Sequence, residues 1–213
     1  MEITVKRSQR KSITIKIDEN GNVIILCPKN FSNNNVSRIL EAKKQWIIKT
    51  QQNLLGTKKV YKDYYLYKKI FILGQSLEIK KEEKFLIIGN NQLKIIRNDI
   101  KTTLKNWLIS KSEYIVKRIE SLAKIYQFSY KTITTISAKK KWGSCDNNHN
   151  IRLNFKMLCL PKEYIDYICI HELSHTKHLN HSKNFYREIQ KILPNYKNLQ
   201  KGIKGWSFVL ELF

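Results

Sequence analysis

The sequence predicts an α+β fold, in which a β-hairpin and a small antiparallel sheet with helices precede a domain that carries a histidine-rich helix. Apolar residues alternate on both sides of Asn20-Gly21, a pair typical of two-residue hairpin turns. Apolar residues at helical spacing dominate several later segments. Four of the five histidines fall within eleven residues of one such segment. We therefore expect two domains, covering residues 1–99 and 100–213.

The first region is predicted to combine the hairpin with one helix and further strands. The hairpin covers residues 12–27, and Pro28 ends its second strand. Apolar residues recur at helical spacing between Val36 and Leu54, and a Ser or Asn of residues 32–35 can cap this helix, which we expect to cover the hairpin. Residues 69–97 hold three short strand patterns, which predict either a small antiparallel meander or an extension of the first sheet.

The second region is predicted to begin with one long helix over about residues 100–125, whose apolar residues lie on one face. A strand pattern returns at residues 130–138 and another covers residues 150–160. Between them, the basic turn Lys139–Lys141 leads into Trp142-Gly143-Ser144-Cys145.

Composition excludes several classes of protein. With 213 residues and 42% hydrophobic content, the chain can form an ordinary buried core. No apolar run reaches the roughly 20 residues that a membrane-spanning helix needs. The four cysteines form no Cys-x-x-Cys pair, so we expect free thiols. Basic residues interrupt the N-terminal segment where a secretory signal would be apolar, which predicts a cytoplasmic protein.

The formal net charge of +23 indicates affinity for polyanions at low salt, so a nucleotide or nucleic acid partner stays open. Lysine dominates the basic residues, and Lys, Ile and Asn are abundant together, as AT-rich coding DNA produces. Lysines spread around a fold usually form a solvated face. The charge alone therefore does not assign a nucleic-acid surface.

Residues 161–186, PKEYIDYICIHELSHTKHLNHSKNFY, carry the predicted chemistry. Pro161 suits the first turn of a helix, and the apolar residues after it place His171 and His175 on that helix. Four residues make about one turn, so both imidazoles project from one face, as in His-Glu-x-x-His zinc sites. Glu172 then stands beside the ion, where it can take a proton from a bound water.

A catalytic zinc ion normally has three protein ligands and one position for water, so a third ligand is needed. His178 and His181 are both available. Three ligands along one helix face would span about 10 Å, which is long for metal bonds of about 2 Å, so the spacing favours His181 over His178. Asn180 can turn the chain after the helix, and Ser182 can cap a following helix over residues 183–193.

A set of positions between residues 139 and 196 matches one known family. They are Trp142-Gly143-Ser144-Cys145, Ile151, Leu153, Asn154, Pro161, His171-Glu172-Leu173-x-His175, Asn180-His181-Ser182 and Phe185. Through them the chain resembles the YgjP-like metallopeptidases, which are related in architecture to SprT-type and minimal gluzincin-like proteases. A weaker resemblance extends over the whole chain.

The resemblance implies a minimal zincin-like metallohydrolase domain with a His-Glu-x-x-His active-site helix over residues 100–213. It also implies that His171, His175 and His181 bind one zinc ion and that Glu172 is the catalytic acid and base. The implied reaction is zinc-dependent cleavage of peptide bonds in a peptide or protein substrate.

We expect two further residues to contact the substrate. Trp142 can line the pocket beside the histidine helix. Asn154 lies on the strand pattern of residues 151–155, which could pair with an extended peptide through backbone hydrogen bonds.

Two other functions stay open. A nucleoside triphosphate (UTP-type) pyrophosphatase would use the same ion, with phosphates held by lysines 139, 140, 141, 177 or 183, and proteins of the resembled family are linked to this activity. A DNA-associated protease would recruit DNA through the basic surface. A non-catalytic zinc module would want four protein ligands and has little use for Glu172.

Overall fold

The computed structural model describes residues 2–18 and 20–213, which form two compact units. The first unit ends at Lys62, and the second runs from Asp63 to Phe213. The predicted boundary near residue 100 falls inside the second unit, because a sheet that precedes it in the chain packs on C-terminal elements. The amide of Leu73, for example, donates to the carbonyl oxygen of Leu158 at 2.7 Å.

The first unit is a three-stranded sheet with a long helix. Strand β1 covers Ile3–Ser8, β2 covers Thr14–Ile17 and β3 covers Val23–Pro28, in the order β1-β3-β2. Strands β2 and β3 pair antiparallel, which confirms the predicted hairpin, whereas β1 was not predicted and pairs parallel to β3. Helix α1, Asn33–Val60, begins at Ser32, whose side chain accepts a hydrogen bond from the backbone of residue 35.

The core of the first unit lies between β3 and α1. Alternate residues of β3, namely Val23, Ile25 and Cys27, face the helix and are fully buried. Val36 and Ile47 of α1 complete this cluster. The predicted packing of the helix on the hairpin is therefore confirmed.

The second unit begins with a meander. After a short helix α2, Lys62–Tyr65, four antiparallel strands follow in sequence order. They are β4 Lys69–Ile72, β5 Gln75–Glu82, β6 Phe85–Ile88 and β7 Asn91–Lys94. The turn between β4 and β5 lies against the start of the histidine helix, because Gly74 has φ +81° and a Cβ there would meet Pro161 at 2.8 Å. The predicted meander is confirmed.

The prediction of a single helix over residues 100–125 is wrong. The segment forms α3, Ile100–Ser110, and α4, Glu113–Ile125. The break occurs at Ser112, whose amide and hydroxyl both donate to the carbonyl oxygen of Ile109, at 3.0 and 2.6 Å. A serine side chain that competes for backbone groups in this way ends the regular helical ladder.

A small three-stranded sheet follows, in the order β8-β10-β9. Strand β8 covers Thr132–Ile136, β9 covers Gly143–Cys145 and β10 covers Asn150–Asn154. The central strand β10 pairs parallel to β8 and antiparallel to β9. The strand predicted over residues 150–160 ends early, because the side chain of Asn154 caps a 3₁₀ helix over Phe155–Cys159.

Helices make up the rest of the second unit. Helix α5, Lys162–Ser174, begins after Pro161 as predicted, and most of its residues are buried. It packs against α4, β9 and the two helices that follow it, which explains why it is apolar on several faces. Those later elements are α6 Lys183–Ile192, α7 Tyr196–Gly202, a 3₁₀ helix over Ile203–Trp206 and α8 Val209–Leu212.

A buried lysine holds the last helix in place. Lys156 is 0% exposed, and its ammonium donates to the backbone oxygens of Leu210 and Phe213 at 2.6 and 2.7 Å. Burial lowers the pKa of Lys156 to about 8. Both backbone oxygens thus accept from a single buried ammonium group.

None of the helices in the described part of the chain combines the length and the apolar character needed to span a membrane.

We expect Lys156→Met to lower the free energy of unfolding by about 2–3 kcal/mol, because two buried backbone oxygens lose a charged donor. Urea denaturation followed by circular dichroism measures this change. Lys124→Met, at an exposed position of α4, is the matched control and should change stability by less than about 0.5 kcal/mol. Equal effects of the two variants would show that the ammonium does not stabilise the α8 segment.

Candidate active site

Three histidines converge at the end of α5. The ligand nitrogens of His171, His175 and His181 all lie within 4.8 Å of one another, and the Nε2 atoms of His171 and His181 are 3.2 Å apart. Two nitrogens that bind one tetrahedral zinc ion at about 2.0–2.1 Å are separated by about 3.3 Å. The separation of His171 and His181 matches this value, and the three side chains together form a group that could hold one metal ion.

The chain turns back after α5 and brings His181 to the other two histidines. Helix α5 ends at Ser174, whose carbonyl oxygen accepts from the amide of His178 at 3.0 Å. Ser182 then caps α6 by accepting from the amide of Phe185 at 3.4 Å. The predicted turn and the predicted second helix are both present, so His181 lies on the connection between two helices.

His178 takes part through its backbone. Its carbonyl oxygen lies 3.1 Å from Nδ1 of His175, and because a carbonyl only accepts, Nδ1 of His175 carries the hydrogen. This leaves the Nε2 lone pair of His175 available for a metal. Among the described residues, the imidazole of His178 is not part of the group that could hold an ion.

One buried aromatic ring supports the three histidines. The ring of Phe185 is 0% exposed, and its centroid lies 5.0, 4.5 and 4.8 Å from those of His171, His175 and His181. Sequence analysis used Phe185 only as a position that matches a family. Its place in the first turn of α6, three residues after the capping serine, is the signal that could have predicted this contact.

His171 of α5 and His175, which directly follows the end of α5, are neutral at neutral pH. Burial lowers the pKa of His171 to about 3 and also lowers the pKa of His175. The Nδ1 atom of His171 is buried and has no hydrogen-bond partner among the described residues. Neutral imidazoles have the free lone pair that metal coordination needs.

Glu172 is also buried, with 6% of its surface exposed. Burial raises its pKa to about 7, against an opposing effect of Lys141. The carboxyl group lies directly on the backbone of Gly143, where a Cβ would stand 2.7 Å from Oε1 of Glu172. Sequence analysis did not predict this contact, because it joins residues that are 29 positions apart.

The predicted substrate contact by Asn154 is not supported. Asn154 is 0% exposed, and its side-chain amide donates to the carbonyl oxygens of Ala138 and Lys141 at 2.8 and 2.9 Å. Its backbone amide donates to the carbonyl oxygen of Trp142 at 2.7 Å. Both amide hydrogens are thus used within the protein, and Asn154 fixes the loop that leads into β9.

The strand predicted as a substrate edge, residues 151–155, is not an edge. Strand β10 is paired on both sides, so its backbone groups are already hydrogen-bonded. In the described part of the chain, the free edge of this sheet next to Glu172 belongs to β9.

A cavity of about 190 Å³ opens beside the histidines. Trp142 lies on its wall, where the sequence analysis expected it to line a pocket. Among the described residues, those that line it are Trp142, Gly143, Tyr167, Ile168, His171, Glu172 and Ile203. Sequence analysis gave no signal for Ile203, since it follows the histidine helix by some thirty residues.

Two of the lysines considered for phosphate binding have partners in the protein. The ammonium of Lys177 lies 2.7 Å from Oε1 of Glu188, and that of Lys141 donates to Oγ of Ser144 at 3.1 Å. These contacts do not favour a phosphate site at either lysine.

Comparisons with solved structures give short matches. The chain is similar to the metallopeptidase zymogen abylysin of Pyrococcus abyssi, with a TM-score of 0.38 and 26% identity over 42% of this chain and 90% of that one. It is also similar to the metallopeptidase zymogen jannalysin of Methanocaldococcus jannaschii, with a TM-score of 0.35 and 24% identity over 43% and 92% of the two chains.

No curated protein sequence matches the chain. The model of the YgjP-like family, metallopeptidase domain, matches residues 11–205 and so covers most of both units. The chain therefore belongs to the YgjP-like family and is a hydrolase of the metallopeptidase type, as its histidine-rich helix and flanking motifs predicted.

Proposed function

We propose that the chain is a zinc peptidase in which His171, His175 and His181 bind one zinc ion. The observation that carries the proposal is the convergence of three imidazole nitrogens within 4.8 Å. His171 lies on the buried helix α5 and His175 at its end, where burial favours the neutral form of both imidazoles. Imidazole is a preferred zinc ligand, and three protein ligands leave one position for water. When bound, zinc supplies Lewis-acid chemistry, which acidifies water and polarises the scissile carbonyl.

Glu172 is the proposed acid and base. It takes a proton from the attacking water as the oxygen bonds to the scissile carbonyl carbon, and it delivers that proton to the leaving amine as the C–N bond breaks. A group that must both accept and donate a proton works best with a pKa near the working pH. Burial raises the pKa of Glu172 to about 7, which supports this double role.

The peptide is proposed to lie along the free edge of β9. An extended peptide can add to a sheet edge through backbone hydrogen bonds. Gly143 lies in this strand and touches the carboxyl group of Glu172, so a peptide paired with β9 runs past the proposed base. Asn154 acts on this edge indirectly, through the loop that it fixes.

No contact among the described residues favours the UTP-type pyrophosphatase or the DNA-associated protease over a peptidase, and the assays described next can distinguish all three.

A cytoplasmic location stays a prediction.

We expect His171→Ala and His181→Ala each to lose bound zinc after dialysis, because each variant removes one of three ligands. His178→Ala is the matched control and should keep zinc, since only its backbone oxygen contacts the site. Elemental analysis of the purified proteins gives the metal content. Zinc kept in His181→Ala and lost in His178→Ala would reverse the ligand assignment.

We expect Glu172→Gln to keep zinc and to hydrolyse casein about 10²–10⁴-fold more slowly, the usual contribution of a general acid or base. Glu163→Gln is the control, because Glu163 is an exposed acid on the first turn of the same helix. Parallel assays use nucleoside triphosphates, and casein with added DNA. Undiminished casein cleavage by the zinc-loaded Glu172→Gln protein would rule out the proposed role, and turnover of triphosphates alone would favour the pyrophosphatase.

We expect Gly143→Ala to reduce peptide hydrolysis at least about tenfold without loss of zinc. The added Cβ would stand 2.7 Å from Oε1 of Glu172, so the carboxyl group must move, and small displacements of a reacting group are costly. Gly56→Ala is the matched control, because a Cβ at that position meets nothing within 4 Å. Normal activity of Gly143→Ala would show that the carboxyl group does not need its observed position.

A further inference from the structure

We propose that the cavity beside Glu172 is the specificity pocket of the enzyme and binds an apolar side chain, of the size of Leu, Met or Phe, next to the cleaved peptide bond. The proposal rests on the proposed peptidase function. It adds the class of substrate and names the residues that select it. The cavity lies at the reaction centre, since His171 and Glu172 form part of its wall. A side chain in the cavity therefore lies beside the reacting groups.

The size of the cavity suits a single apolar side chain. Its volume is about 190 Å³. An apolar cavity of about 150 Å³ in another protein admits benzene, so this one has room for a leucine or phenylalanine side chain.

The walls of the cavity are largely apolar, because Trp142, Ile168 and Ile203 line it. Among the described lining residues, the ionisable groups besides Tyr167 are His171 and Glu172, which belong to the reaction centre. None of these described residues is a lysine or arginine that could pair with an acidic side chain. A basic side chain would meet only Glu172, whose carboxylate must stay free to accept a proton. Burial of an unpaired charge is strongly unfavourable, so charged residues are excluded from this position.

The fold fixes the walls of the cavity. The backbone amide of Asn154 donates to the carbonyl oxygen of Trp142 at 2.7 Å and so holds the loop of Trp142. Tyr167 and Ile168 belong to α5 and are 5% and 4% exposed. A pocket with walls held in this way keeps its shape and can discriminate between side chains.

The wall that carries Ile203 is also tied to α5. The preceding residue, Gly202, lies against the ring of Tyr164 so closely that a Cβ would overlap its hydroxyl group. The ring of Trp206, at the end of the same 3₁₀ helix, lies 6.4 Å from that of Tyr164. Ile203 is therefore presented to the cavity by a segment that has contacts with the active-site helix on both sides.

The test is digestion of a mixed peptide library by the zinc-loaded protein, with cleavage sites read by mass spectrometry. One of the two positions that flank the cleaved bond should be enriched in Leu, Met and Phe. In matched peptides that differ only there, Leu should exceed Lys and Asp in kcat/KM by at least about tenfold. Equal cleavage of peptides with Leu, Lys and Asp would overturn the proposal.

Two changes at Ile203 should alter the preference in opposite directions. Ile203→Phe fills the cavity and should shift the preference from Leu and Phe toward Ala. Ile203→Ala enlarges it and should raise the relative kcat/KM for Phe and Trp. Lys204→Ala, at the exposed neighbouring position, is the control and should leave the ratios unchanged. Unchanged ratios in both Ile203 variants, at normal zinc content and thermal stability, would remove Ile203 and the cavity from substrate selection.

A binding measurement separates this proposal from the proposed function. Fluorescein-labelled forms of the Leu and Lys peptides are titrated with zinc-loaded Glu172→Gln protein, and fluorescence anisotropy reports binding without turnover. Tighter binding of the Leu peptide by at least about tenfold supports the pocket. Cleavage and binding without side-chain preference would overturn the pocket alone, whereas absence of both would overturn the peptidase function together with it.

Discussion

The arrangement of the three histidines depends on one buried ring. Phe185 contacts all three imidazoles, with centroid distances of 4.5 to 5.0 Å, and it belongs to a different helix from two of them. Its burial joins α5 to α6, and the turn between these helices is thereby held with His181 facing His171. Burial of this apolar ring thus helps to set the distances between the three imidazoles.

The same burial tunes the reactive groups. Helix α5 is packed on several sides, so His171 and Glu172 both lose water, yet the consequences for their pKa values are opposite. The histidine stays neutral, which suits a metal ligand, and the carboxyl group keeps a proton more readily, which suits a group that passes one on. Burial of a single helix therefore has the largest effect on the pKa values of both groups and suits them to two different functions.

Local patterns in the sequence predicted the parts of the site that lie close together in the chain. The spacing of His171 and His175, the first turn at Pro161 and the cap at Ser182 each depend on a few neighbouring residues, and the structure contains all of these local features. Spacing favoured His181 over His178 as the third histidine of the group, and the family resemblance implied the same residue. The hairpin and the meander were predicted for the same reason, since their turns are short.

The features that sequence reasoning missed are those that join distant segments. Strand β1 pairs with β3, which lies twenty residues further along the chain. The carboxyl group of Glu172 lies against Gly143, which belongs to a different element. Asn154 was predicted to contact the substrate, but its side-chain amide donates to the loop before β9. The break at Ser112 was missed because the apolar pattern continues through it. The helix ends there because the hydroxyl of Ser112 donates to the carbonyl oxygen of Ile109. Hydrogen-bond partners of this kind follow from tertiary packing, and no periodicity in the chain reports them.

The three histidines differ in their access to solvent, with His171 and His175 partly buried and His181 exposed on the interhelical turn. An ion could therefore reach His181 from solvent while the helix beneath stays folded. Loading after synthesis would need no unfolding of the chain.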